Sequence, residues 1–172
     1  DNVSSIMDSG KELANLFKRR CGVGLDLSNL RPEGTMVNNS SKTSTGAWSF
    51  ADMYSYICRM IGQDGRRGAL LLSMDVRHPD VQKFVTMKHD LTKVTGANVS
   101  VRVTNDFMKA VMADDDFELR FPVDAEEPTV KENIRARDLW DLIIESATKT
   151  AEPGLLLWDN IIDNLPAHCY KD

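Results

Sequence analysis

Apolar residues fall in two rhythms along this chain, one of about three and a half residues and one of two, and the rhythms alternate. Ile6, Leu13, Leu16 and Phe17 recur at helical spacing and give way to Lys18-Arg19-Arg20, cations that suit the unpaired carbonyls of a helix end. A first helix is predicted there. In 21–27 the alternation of Val23, Leu25 and Leu27 predicts a short interior strand, closely approached by other backbone at its glycines. A polar stretch from Leu30 to Gly46, with Pro32, Gly34 and many Ser, Thr and Asn residues, predicts a loop longer than an ordinary connection. Ala47 to Ile61 then predicts a helix begun at Ser44-Thr45, with Phe50, Met53, Tyr54 and Ile57 on its apolar face.

The second half continues the alternation. Gly62 to Gly68 predicts another loop and Ala69 to Met74 a buried strand. Pro79 fits the first turn of a helix carrying Val81, Phe84, Val85 and Lys88 and ending near His89. Val99, Val101 and Val103 mark a strand, and Asn105 or Asp106 would cap a helix through Phe107, Val111 and Met112 that stops at Asp114-Asp115-Asp116. Residues 124–135 read as acidic and irregular. Ala136 to Thr150 predicts a helix with Leu139, Trp140, Ile143 and Ile144 turned inward, and Leu155 to Trp158 a last strand. Strands alternating with helices, with few hairpin signals, predict an α/β fold with a largely parallel sheet in a single domain over 1–172.

Composition narrows what such a domain could do. A net charge of −5 leaves no general basic field for nucleic acid, so any phosphate must be met by a few placed cations. No apolar run has the length of a membrane span, and the first residues lack the pattern of a signal peptide, so a cytoplasmic protein is expected. Cys21, Cys58 and Cys169 are far apart and form no CxxC, which argues for reduced thiols and against a zinc site. The patterns at Asn38-Asn39-Ser40 and Asn98-Val99-Ser100 match glycosylation acceptors but carry little weight without a secretory signal.

Candidate chemistry is sparse. Gly65-Arg66-Arg67-Gly68 combines free backbone with two guanidiniums suited to phosphate, carboxylate or a nucleobase, although a solvated surface turn has the same composition. Arg31, at a strand exit before Pro32, could hold a phosphate or make an ordinary ion pair. Lys18 belongs to a helix end where solvated cations are common, and Cys58 suits a core thiol. His78 and His168 have no partner at ligand spacing, so no metal site and no catalytic triad is expected.

Several segments in order carry a resemblance: Cys-Gly-Val-Gly-Leu-Asp-Leu-Ser-Asn-Leu-Arg-Pro-Glu-Gly at 21–34, Ser-Thr-Gly-Ala-Trp-Ser-Phe at 44–50, Gly-Gln-Asp-Gly-Arg-Arg-Gly-Ala at 62–69 and His-Pro-Asp-Val at 78–81, followed by Asn98-Val99-Ser100-Val101 and Glu152-Pro153-Gly154-Leu155. Together they resemble the large catalytic subunit of ribonucleotide reductases, across essentially the whole chain. The resemblance implies part of a ten-stranded α/β barrel that reduces ribonucleotides by thiyl-radical chemistry. It also implies that the radical cysteine, in an Asn-Pro-Cys-Gly-Glu motif, follows Asp172 and that the first redox cysteine precedes Asp1. The piece would then hold no catalytic cysteine and would be inactive alone.

What it would hold is the allosteric specificity region, which binds a deoxynucleoside triphosphate effector. By resemblance Asp1, Lys18 and Arg31 bind that effector, and 32–46 form a first specificity loop. Gln63, Asp64, Gly65, Arg66 and Arg67 form a second loop that relays effector identity to substrate. The Cys21 and Gly22 backbone faces the ribonucleotide, although a glycine or other small residue is usual where Cys21 stands. Implied partners are the rest of the catalytic subunit, a second copy meeting at the effector site, and a radical generator, either a separate metal-containing subunit or adenosylcobalamin. The Arg66-to-Ala69 wording is nearer the cobalamin type. Pro153 to Leu156, Trp158-Asp159 and Pro166 to Cys169 are nearer the type with a separate subunit, and the balance falls to the latter. A stand-alone deoxynucleotide-binding regulatory module is the alternative reading.

Overall fold

The computed structural model describes residues 2–37, 42–61 and 68–166. Helix α1, Val3–Lys18, is capped by Asn2, whose side chain accepts from the Ser5 N–H at 2.8 Å, and it buries Ile6, Leu13 and Phe17. A turn over 19–21 reverses the chain into β1, Gly22–Asp26. Helix α2 (Ala47–Met60), β2 (Ala69–Asp75), α3 (Val81–Thr86) with a 3-10 turn (Met87–His89), and β3 (Asn98–Val103) follow. Next come α4 (Asn105–Ala113), β4 (Asp116–Phe121), β5 (Val130–Arg135), α5 (Ala136–Thr150), β6 (Gly154–Leu157) and α6 (Trp158–Asn164).

Strands β1, β2, β3 and β6 form one parallel sheet in chain order, and β4 pairs with β5 in a separate antiparallel hairpin. The α/β class with a mainly parallel sheet therefore holds. Because the register is in step across the sheet, side chains sort cleanly by face. Val23, Leu25, Leu70, Leu72, Met74, Val99, Val101 and Val103 point to one side, and most of them are buried. The other face carries Gly24, Asp26, Ser73, Asp75, Ser100 and Arg102 and is polar.

Helices α1 and α2 lie alongside each other and run against the strands. The Tyr54 hydroxyl donates to the Ile6 carbonyl at 3.1 Å, and Gly68, where β2 begins, fits against both Phe17 and Cys58. Hence the helices start at the C-terminal end of the strands and finish at their N-terminal end. A Cβ on Gly68 would stand 2.9 Å from Phe17 and 3.0 Å from the Cys58 sulfur, so this position has room only for glycine.

Several expectations need correcting. Strand β1 is an edge of the described sheet rather than an interior strand. Helix α2 turns Ala47, Ala51, Ser55 and Cys58 inward beside Tyr54, because small side chains allow close approach, while Phe50, Met53 and Ile57 pack at the margin. Its cap is Gly46, with no side-chain bond from Ser44 or Thr45 to the helix N–H groups. Thr104, not Asn105 or Asp106, caps α4. Met112 and Ile144 are exposed, being rotated off the buried stripes of their helices. Within 124–135 the chain is not wholly irregular: β5 pairs along all of β4, from Asp116–Arg135 to Phe121–Val130. Trp158 opens α6 instead of closing a strand.

Candidate functional site

Two ends of one sheet carry the residues of interest. At the C-terminal end, β1 exits through Leu27 and Ser28 to Arg31, which is half-buried and donates from Nη1 to the Met36 carbonyl at 3.0 Å. The following loop folds back on itself: Met36 bridges Thr43, the Ser44 N–H donates to the Thr35 carbonyl at 2.8 Å, and the Ser44 hydroxyl donates to the Arg31 carbonyl at 3.1 Å. Arg31 is thereby fixed across the base of the loop. Residues 38–41 lie outside the described part.

The His-Pro-Asp segment after β2 anchors both ends of this loop. Asp80 accepts the Glu33 N–H at 3.1 and 3.2 Å and the Ala47 N–H at 2.9 Å, so one carboxylate joins the loop's beginning to the first turn of α2. His78, fully buried, accepts the Asp80 N–H on Nδ1 at 3.0 Å, which leaves its proton on Nε2 to be donated to the Leu30 carbonyl at 2.8 Å. Burial pushes the His78 pKa below the ordinary histidine value, against the opposing pull of the Leu30 carbonyl and of the Asp80, Asp75 and Asp26 charges. The imidazole is neutral and structural. Lys83 pairs with Glu33 on the outer side, and this bond holds the Glu33 carboxyl below its usual range.

Between these ends the polar sheet face carries a charged network. Arg102 donates to Asp75 at 2.8 Å and lies 3.4 Å from Asp26, while the Ser73 hydroxyl donates to Asp26 at 2.7 Å. The guanidinium also stacks over Trp158, 4.4 Å from the ring centroid. Its remaining Nε is buried and has no hydrogen-bond partner.

At the N-terminal end of the strands a cavity of about 590 Å³ opens, lined by Gly22 to Gly24, Gly68 to Leu71, Lys88 and Thr95 to Asn98. Absent side chains make it: a Cβ on Gly24 would meet nothing within 4 Å. Exposed Cys21 precedes the cavity wall at Gly22, and Lys18 ends α1 on this side. Lys88 crosses beneath, donating to the Ala97 carbonyl at 2.6 Å and pairing with Glu152 at 2.8 Å, and Glu152 in turn accepts the Val99 N–H at 3.0 Å.

The sequence-derived candidates thus divide. Arg31 stands at one end of the sheet with Asn2, the neighbour of Asp1. Lys18, Cys21 and Gly22 stand at the other, a separation of about 22 Å along α1 by its rise per residue. Asp1 itself and the loop residues Gln63, Asp64, Gly65, Arg66 and Arg67 lie outside the described residues; the ends that hold this loop, Ile61 and Gly68, belong to the cavity end. Asp80, His78 and Arg102 have structural roles that sequence patterns gave no reason to assign, because the partners that define those roles lie 27 or more positions away. Among the described residues no group of His, Cys, Asp and Glu could hold a metal ion, and no helix is long and apolar enough to cross a membrane.

Comparison with known proteins places this geometry. The family model described as "Ribonucleotide reductase, barrel domain" matches residues 1–169. Over 163 residues the chain is 34% identical to a vitamin B12-dependent ribonucleoside-diphosphate reductase of Thermoplasma acidophilum, covering 94% of this chain and 21% of that protein. A Mycobacterium tuberculosis protein of the same name is 32% identical over 94% of this chain and 23% of its own length. A ribonucleoside-diphosphate reductase large subunit of Variola virus is 28% identical over 92% of this chain and 24% of its own. The chain therefore spans between a fifth and a quarter of the length of these curated relatives.

Proposed function

The chain belongs to the ribonucleotide reductase family, and we propose that it is the part of a catalytic subunit that senses a deoxynucleoside triphosphate and passes that information to the ribonucleotide site. The observation that carries this reading is the placement of Arg31 and the cavity at opposite ends of one sheet, with α2 spanning between them. Arg31 offers a fixed guanidinium to a triphosphate, with Asp1 offering a ribose contact by resemblance. The cavity has bare backbone at Gly24, where an added Cβ would meet nothing within 4 Å, and this lets a nucleotide approach closely. By resemblance Arg67 is the loop arginine that reaches toward substrate and Gln63 the residue that reads the base, and the segment 62–67, whose flanking residues Ile61 and Gly68 stand at the cavity end, is the relay in this reading.

In one copy Arg31 and the residues flanking the 62–67 segment, Ile61 and Gly68, stand at opposite ends of the sheet. A twofold dimer that sets the Arg31 end of one copy beside the cavity end of the other would bring the two together. In that arrangement Lys18 would reach effector phosphates from the second copy, which reconciles its position with its proposed role. Exposed Val3 and Met7 on α1, and Tyr56 and Met60 on α2, supply apolar surface for such a contact.

The whole enzyme would reduce ribonucleotides by thiyl-radical chemistry, using cysteines outside this chain, in the cytoplasm and in support of DNA replication. Its radical generator supplies the initiating radical. The Thermoplasma acidophilum and Mycobacterium tuberculosis relatives are vitamin B12-dependent by name, which favours adenosylcobalamin over a separate metal-containing subunit. None of the described residues is assigned to holding that generator. The chain alone would not turn over substrate.

The test is Arg31→Ala in the full-length subunit. Effector affinity measured by calorimetry should fall by about 1.5–3 kcal/mol, the range for hydrogen bonds to charged groups, with effector-free substrate reduction nearly intact. Unchanged affinity would remove Arg31 from the effector site.

A further inference from the structure

We infer that residues 94–97 form a second specificity relay, a cavity wall through which α2 acts on the substrate base independently of the 62–67 loop. This rests on the reading of the cavity as the ribonucleotide site. The cavity has Gly68 on one side and Thr95 to Asn98 on the other. Those two walls have different attachments.

The 94–97 wall hangs directly from α2. Asp52 accepts the Val94 N–H at 3.0 Å and Ser55, fully buried, accepts the Gly96 N–H at 2.8 Å. Contact is so close that a Cβ on Gly96 would stand 2.5 Å from the Ser55 carbonyl oxygen and 2.7 Å from Arg59 Cγ. Val94 sits at φ +46, a left-handed conformation that a β-branched residue adopts only when its surroundings impose it, and its side chain is buried. On its far side the wall is held by Lys88 on the Ala97 carbonyl and by the Lys88–Glu152 pair. The segment has little slack.

A wall held this way follows α2 when α2 moves. The same helix is bound at its first turn to Asp80, which also holds the Glu33 N–H of the loop that carries Arg31. Effector-dependent displacement of that loop would therefore reach the cavity by a route made of bonds from backbone N–H groups to the side chains of Asp80, Asp52 and Ser55. Thr95 and Asn98 are exposed on the wall and present a hydroxyl and an amide, donor and acceptor groups suited to the edge of a nucleobase.

The experiment uses the full-length reductase with Asp52→Ala, Ser55→Ala and Asp52→Asn. For each variant, kcat/KM is measured for every ribonucleotide with and without each effector, alongside effector affinity by calorimetry. The two alanine variants should bind effector within about twofold of wild type yet lose at least about fivefold of the effector-driven change in substrate preference, the lower bound of ordinary allosteric coupling. Asp52→Asn should retain wild-type preference, because its amide oxygen still accepts the Val94 N–H. Wild-type preference in both alanine variants overturns the inference. So does a uniform loss of kcat/KM for all substrates with their ratios intact, which marks a merely structural role. If the wild-type enzyme itself shows no effector-dependent choice, the function proposed above fails and takes this inference with it; if it does, failure of the variants rejects the wall alone.

Discussion

Replacing Asp80 by alanine tests whether one carboxylate fixes the loop that carries Arg31 to the second helix. The Ala47 N–H belongs to the first turn of α2, where no intrahelical partner exists, and Gly46 offers no side chain in place of Asp80. Its bond to Asp80 is buried, so the full loss of a hydrogen bond to a charged acceptor applies, about 1.5–3 kcal/mol. The Glu33 N–H is only partly buried and water can replace some of its bond, so it adds about 1–2 kcal/mol. Together Asp80→Ala should destabilise the domain by about 2.5–5 kcal/mol, a large share of an ordinary folding free energy of about 5–15 kcal/mol. Urea unfolding followed by circular dichroism measures this as a lowered midpoint at unchanged slope. If the proposed function holds, effector binding should weaken in parallel, because the loop behind Arg31 loses its tether. A shift under about 1 kcal/mol, with effector affinity intact, would refute the argument.

Gly46→Ala should destabilise by about 1–3 kcal/mol in the same assay, since φ is +86 there and the added Cβ would meet the Asp80 carboxylate at 2.8 Å. For His78 the folded pKa lies below the ordinary value of 6.5, so the unfolded chain binds the proton first as pH falls. Its contribution is thus complete above about pH 6.5 and is lost progressively below it; urea midpoints compared between pH 7.5 and 5.5 should show a drop that His78→Gln reduces. Arg102→Met should destabilise by about 3–5 kcal/mol, because it leaves Asp75 buried and Asp26 half-buried without their cation. Thermal unfolding checks it, and a neutral outcome would mean the two carboxylates rehydrate.

Wherever burial followed a simple period, the elements could be read directly from sequence. Val99, Val101 and Val103 mark β3, and Leu139 and Ile143 mark α5, because each sits on a face that only one layer covers. The β5 strand was not legible: Lys131, Glu132 and Asn133 are exposed, so its conformation comes from backbone pairing with β4 rather than from burial. Helix α2 was placed correctly, but its inward face was read from large side chains, whereas Ala51 and Ser55 make the closest approach. At the site, Arg31 stood out by its neighbours in sequence. Asp80 and Asp52 could not, since each acts on backbone N–H groups more than thirty positions away, and no local pattern encodes that distance.

Because α1 and α2 run against the strands, the sheet has two electrically different ends. Aligned peptide dipoles leave about half a positive charge at each helix start and about half a negative charge at each finish. Both starts lie at the end where Arg31 stands, so an anion arriving there meets a favourable field before any side chain closes on it. Both finishes lie toward the cavity, where the dipoles alone favour an uncharged ring over an anion and Lys18, in the last turn of α1, offsets them locally. The two ends of the sheet thereby differ in the charge they would favour, an anion at the Arg31 end and an uncharged group at the other.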